Sequence, residues 1–98
     1  MRYDLSCRYD SRQSFYGKAK VEQEEKDNLI INNLYSYGTL VAQRITDVDT
    51  MKTTYKYLGK YSQTTTRHQK EFFKQNGLSD KQIKDLFKFG RLEVLLCL

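Results

Sequence analysis

The stretch MKTTYKYLGKYSQTTTRHQKEFFKQNG, residues 51–77, changes its period midway, and that change sets the fold class. Before Gly59, Met51, Thr53, Tyr55 and Tyr57 alternate with Lys52, Thr54, Lys56 and Leu58, the period of a strand with one face inward. After Gly59 the spacing lengthens: His68 and Phe72 stand four apart, as do Thr65 and Gln69, with Phe73 at the edge of the same face. Ser62 or Thr64 can accept a hydrogen bond from a free N–H of the first turn, and Gly77 after Asn76 suits a left-handed stop. The spacing predicts a helix over 64–76. The threonine run needs no role beyond starting it.

Upstream, the strand period recurs. From Ser14 on, Phe15, Gly17, Ala19 and Val21 alternate with Tyr16, Lys18, Lys20 and Glu22, which argues for a half-buried strand. EQEEKDN (22–28) is charged without apolar period and predicts a solvent loop. LIINNLYSYG is apolar on both faces, as a central strand would be, with Asn32–Asn33 open to a bulge or tight turn. TLVAQRI follows Gly38 as another strand, and TDVDT (46–50) predicts a turn. Four strands adjacent in sequence imply an antiparallel meander. Residues 1–13 are weakly patterned and fit a short edge strand or a flexible arm.

Downstream, Ser79 and Gln82 form a capping box, Ile83, Leu86 and Phe87 make an apolar stripe, and Gly90 ends the pattern. These signals predict a helix over 80–89. LEVLLCL is too apolar to float free; it is a strand or a third helix, and it completes the core or forms a homodimer seam. The expectation is one α+β domain over 1–98. About four antiparallel strands from 14–58 carry two C-terminal helices on one face.

The chain has 98 residues, 30% charged, with eight Tyr and five Phe to build a core. Its net charge of +5 is uneven: residues 1–28 balance, whereas 29–98 hold eleven Lys/Arg against six Asp/Glu. Such a surface suits nucleic acid or an acidic protein face, and excludes mimicry of DNA by acidic charge. Cys7 and Cys97 have no metal-ligand spacing, and no secretion signal or membrane span is visible. The thiols are therefore expected reduced, inside a cell.

Catalytic signals are sparse. No phosphate-binding loop or nucleophile elbow occurs, His68 is the only histidine, and Asp47 with Asp49 reads as turn chemistry. The expectation is a non-enzymatic protein without metal or cofactor. The binding candidates are Lys52, Lys56, Lys60, Arg67, Lys70 and Lys74, with Tyr55, Tyr57 and Tyr61 interleaved. Cations beside aromatic faces can hold phosphates and stack bases. The same alternation also describes a strand with one face in and one out.

Three segments carry a resemblance: FYGKAKV (15–21), NLYSYGTLVAQR (33–44) and YSQTTTRHQKEFFKQNG (61–77). Together they resemble a small domain of phages and other mobile elements of Gram-positive bacteria, marked by LYSYxTxVA and SxTTxRHxxEF motifs. The C-terminal third, from Leu78, is not part of the pattern. The resemblance implies no activity, but a setting in the bacterial host cytoplasm, where small non-enzymatic proteins often inhibit host defences, anti-CRISPR proteins among them. A basic member would occupy an acidic face of a Cas complex, contact its guide RNA or block a conformational change. A nucleic-acid-binding phage accessory protein is the alternative, and no membrane partner is implied.

Overall fold

The computed structural model describes residues 2–10, 15 and 17–95. Along them run β1 (Arg2–Asp4), β2 (Ala19–Lys26), β3 (Leu29–Ser36), β4 (Thr39–Asp47), β5 (Lys52–Tyr57), α1 (Gln63–Gln75), α2 (Asp80–Phe89) and β6 (Arg91–Leu95). Every neighbouring pair of strands is antiparallel, and the sheet order is the chain order. The α+β class and the two helices after the meander are as the sequence predicts. The sheet, however, has six strands rather than about four.

The two extra strands lie at the edges, where sequence pattern is weakest. β1 is too short to display a period. β6 pairs with β5 only after the chain has crossed the sheet through both helices, so adjacency in sequence does not place it. LEVLLCL is thus a strand as far as Leu95, and its last three residues lie outside the described ones, as do residues 11–14 and 16. Glu22–Lys26 is a further correction. These residues are not a loop but the outer half of β2, paired with Leu29–Asn33. Backbone pairing with β3 runs the length of this overhang, and its Glu24–Lys26 side chains stay in water.

One row of register partners, Val21, Leu34 and Ala42, forms the floor of the core. The helices cover this face, α1 over β3 and β4, α2 over β5 and β6. Phe72 and Phe73 descend from α1, Ile83 and Leu86 from α2. Tyr57 stacks on Phe87 at 4.5 Å, and Tyr55 meets the edge of Phe73 at 6.2 Å. On the opposite face Ile31 lies across from the half-buried Ile45.

The irregularity in the sheet falls at Val41, not at Asn32–Asn33, which pair regularly. Leu34 faces Ala42 and Tyr35 faces Leu40, leaving Val41 as the extra residue of a bulge. Val41 and Ala42 are then both buried, and the Val41 carbonyl accepts from the Leu58 N–H at 3.1 Å and from the Gln69 side chain at 2.9 Å. The helix ends follow the sequence signals. Ser62 Oγ accepts from the Thr65 N–H at 3.1 Å, and Ser79 and Gln82 close a reciprocal capping box.

Burial predicts the first mutational outcome. Phe72→Ala removes a ring that is 2% exposed, so unfolding should be easier by roughly 3–5 kcal/mol. A denaturation midpoint near that of the parent would contradict the packing. The Asp47 turn gives a pH dependence. Its carboxylate is held below the ordinary 3.8, first by the Thr50 N–H, against some desolvation, with the Asp49 N–H and the Asn28 amide adding to it. A depressed folded-state value means the contribution is complete above 3.8 and fades as pH falls through the lower folded value. Asp47→Asn should therefore lower stability near neutrality and flatten the acid limb of a stability–pH curve; an unchanged limb would refute this.

Candidate functional site

α1 is polar on its inward side, and its inward polar residues hold several segments of chain. Ser36 Oγ lies 2.9 Å from Thr65 Oγ1 and 2.7 Å from His68 Nδ1, joining β3 to the helix. The Gln69 amide donates to the carbonyls of Val41 and Gly59. Ser36 and His68 resemble a nucleophile with its base, but they are only 3% and 0% exposed. The edge of Phe15 packs on the imidazole at 4.5 Å. The buried pair joins β3 to α1.

Glu71 takes the segment between β1 and β2. Its Oε1 accepts from three successive N–H groups, those of Arg8, Tyr9 and Asp10, at 2.8–3.0 Å. Its Oε2 accepts from Gln75 Nε2, which also donates to the Ser6 carbonyl, both at 2.7 Å. A carboxylate that is 2% exposed is tolerated because backbone and amide donors surround it. The consequence is geometric: residues 8–10 are laid along the flank of α1.

That flank is a groove of about 400 Å³. Tyr9 and Asp10 form one wall, Arg67, Lys70 and Lys74 the other, with Glu71 at the base. Arg67 reaches Asp10 at 3.7 Å, and Lys74 reaches the exposed Asp80 at 3.3 Å. The Lys74–Asp80 pair, open to water on the Asp80 side, holds its cation weakly, whereas the Asp10 carboxylate is largely covered. Lys70 has no ion pair among the described residues. The groove continues towards α2, where Lys70, Lys74 and Lys84 surround Ile83 and Phe87. It can receive an anionic group and exchange the weak Lys74–Asp80 pair for it.

The nine residues singled out from sequence fall in four places. Arg67, Lys70 and Lys74 come together in the groove. Tyr55 and Tyr57 turn under the helices, where the Tyr55 hydroxyl accepts from Arg44 Nε and donates to the Asn76 carbonyl. Lys52 and Lys56 project from the other face of β5, Lys52 paired with Glu93 at 2.7 Å. Lys60 and Tyr61 sit exposed on the approach to α1. Sequence alone missed Tyr9, Asp10 and Glu71. A signal for Glu71 was present: a carboxylate next to two core phenylalanines, three residues after an inward histidine, must point inward too. No pattern announced the partner loop.

No helix among the described residues is long and apolar enough to cross a membrane, and no group of His, Cys, Asp and Glu among them could hold a metal ion.

A meandering sheet with a helix pair on one face and a cation-lined groove outside it defines a small α+β scaffold bearing a candidate binding surface. The chain belongs to a family of unknown function (DUF8033), whose model matches residues 3–88. No curated protein and no solved structure matches it.

Glu71→Ala should release residues 8–10 from the helix. The expected cost is at least the roughly 1.5–3 kcal/mol of one hydrogen bond to a charged group. Amide exchange should accelerate at Arg8, Tyr9 and Asp10 well before it does in β3 and β4. Glu71→Gln should fall between, because its amide would oppose the Gln75 amide across 2.7 Å. Unchanged exchange at the three amides would show that the loop is held by something else.

Proposed function

We propose that the protein is a non-enzymatic binding protein whose helical face engages an acidic surface of a partner. Following the resemblance to mobile-element domains, that partner is a host defence complex of the bacterial cytoplasm, a Cas effector being the first to test. The carrying observation is the convergence of Arg67, Lys70 and Lys74 on one groove, with Lys70 free of any ion pair among the described residues. Long-range attraction would bring an acidic face to this wall. The burial of Ser36 and His68 supports contact rather than catalysis. A single-strand platform on β5 is less well supported, because Tyr55 and Tyr57 present no open face beside Lys52 and Lys56.

The test is capture of purified Cas effector complexes, paired with an interference assay in cells. The parent protein should be retained stoichiometrically and should suppress immunity. The triple variant Arg67→Glu, Lys70→Glu, Lys74→Glu should keep its unfolding midpoint to within about 0.5 kcal/mol per site, since these side chains lie outside the core. It should nevertheless lose binding by more than about tenfold, as reversed charge opposes the partner. Normal binding by a folded triple variant would reduce the groove to a solvated flank.

A further inference from the structure

A second cationic cavity lies at the corner where β1, β2 and the β3–β4 turn meet, and it uses none of the groove residues. It measures about 350 Å³ and is lined by Arg2, Lys18, Lys20, Tyr35 and Tyr37, with Gly17 and Gly38 at its rim. Lys20 and Tyr35 are register partners and so share a face. The Arg2 guanidinium sits 5.7 Å from the Tyr35 ring centre, stacked in a cation–π contact that leaves its N–H fork to other acceptors. Lys20 reaches Asp4 at 3.2 Å, whereas Arg2 and Lys18 have no ion pair among the described residues.

The turn itself carries the second observation. Tyr37 and Gly38 both have positive φ, 52° and 82°, as the tight hairpin turn between β3 and β4 requires. Asn or Gly fills the first of these positions with little strain, and a bulky ring there is an outlier. The Tyr37 N–H is tied to the Lys18 carbonyl at 2.9 Å, which fixes the turn against the entry to β2. One side of the ring packs on the buried His68 imidazole, with ring centres 5.9 Å apart, yet the residue stays 57% exposed and its other side faces outward. An open aromatic face held on a strained turn, beside three cations, is a feature that turn formation leaves unaccounted for.

We propose that this corner is a nucleotide-binding site, with the base stacked on the exposed Tyr37 ring and the phosphate received by Arg2 and Lys18. The size matches a small-ligand pocket, and stacking on tyrosine with cations for phosphate is the chemistry by which single-stranded nucleic acid is held. Arg2 suits the phosphate because its planar fork can bind two oxygens at once. The shared chemistry is the nucleotide unit; its source is either a free mononucleotide or a single strand.

The experiment is anisotropy titration of a short labelled oligo-deoxythymidine at low salt, with thymidine monophosphate as competitor. The intact protein should bind the oligonucleotide with affinity falling steeply as salt rises. Tyr37→Asn keeps the left-handed turn and removes the ring, so it should weaken binding by about tenfold while the fold survives, relief of turn strain offsetting the lost contact with His68. Lys18→Glu should weaken binding and flatten the salt dependence. Competition by the monophosphate would assign the site to free nucleotides, and its absence to single strands. The helical-face triple variant should lose only what its lowered net charge costs, and Tyr37→Asn should still weaken binding about tenfold in that background, which separates this site from the groove. No binding of either probe at low salt would overturn the proposal. So would binding that survives both Tyr37→Asn and Lys18→Glu, or binding lost only in the triple variant.

Discussion

A single carboxylate sets the arrangement of everything outside the sheet. Glu71 accepts three consecutive backbone N–H groups and one side-chain amide in a site nearly closed to water. An unpaired charge there would be costly, so the placement of residues 8–10 against α1 depends on this carboxylate, whereas α1 is also held by its phenylalanines and by Gln69. With the loop fixed, Tyr9 and Asp10 face the cations of the helix, and the groove exists. Without that bond, Arg67, Lys70 and Lys74 would be three charges on an ordinary helix surface.

The motif residues behind the resemblance converge on the same helix. Ser36 comes from one motif, and Thr65, His68 and Glu71 from the other; each makes a tertiary hydrogen bond. Their spacing is that of an inward helix face meeting a strand and a loop, with Phe72 and Phe73 filling the apolar part. The binding candidates occupy the positions in between. Inward, fold-bearing residues and outward cations thus share α1 by alternation around its circumference, so the outward set can change without disturbing the inward one.

Legibility followed the range of the interactions. The helix over Asp80–Phe89 was written out by Ser79, Gln82 and Gly90, all local signals. β5 showed in alternation because one of its faces lies in the core, and β3 in apolar residues on both faces, as suits a central strand. β6 was hidden because its only partner lies on the far side of two helices. The outer half of β2 was hidden because its partner strand, not its own side chains, keeps it extended. The groove was half legible: the lysine spacing on α1 is local, whereas the wall supplied by Tyr9 and Asp10 depends on a bond spanning more than sixty residues. Likewise Lys18 and Tyr37 are brought together by a hairpin register that no single stretch encodes.

The late arrival of β6 bears on how the chain assembles. A ribosome releases β1 to β5 first, and these can zip into a meander through neighbouring hairpins, which are fast, local events. Throughout that interval β5 is a bare edge, its outward N–H and C=O groups unpaired and open to strands of other chains. Only when α1 and α2 have docked can Arg91–Leu95 return beside Lys52–Lys56 and close it. The helix pair therefore acts as the gatekeeper of the nascent sheet. Damage to its packing would surface first as aggregation during synthesis, before any loss of stability in the finished molecule.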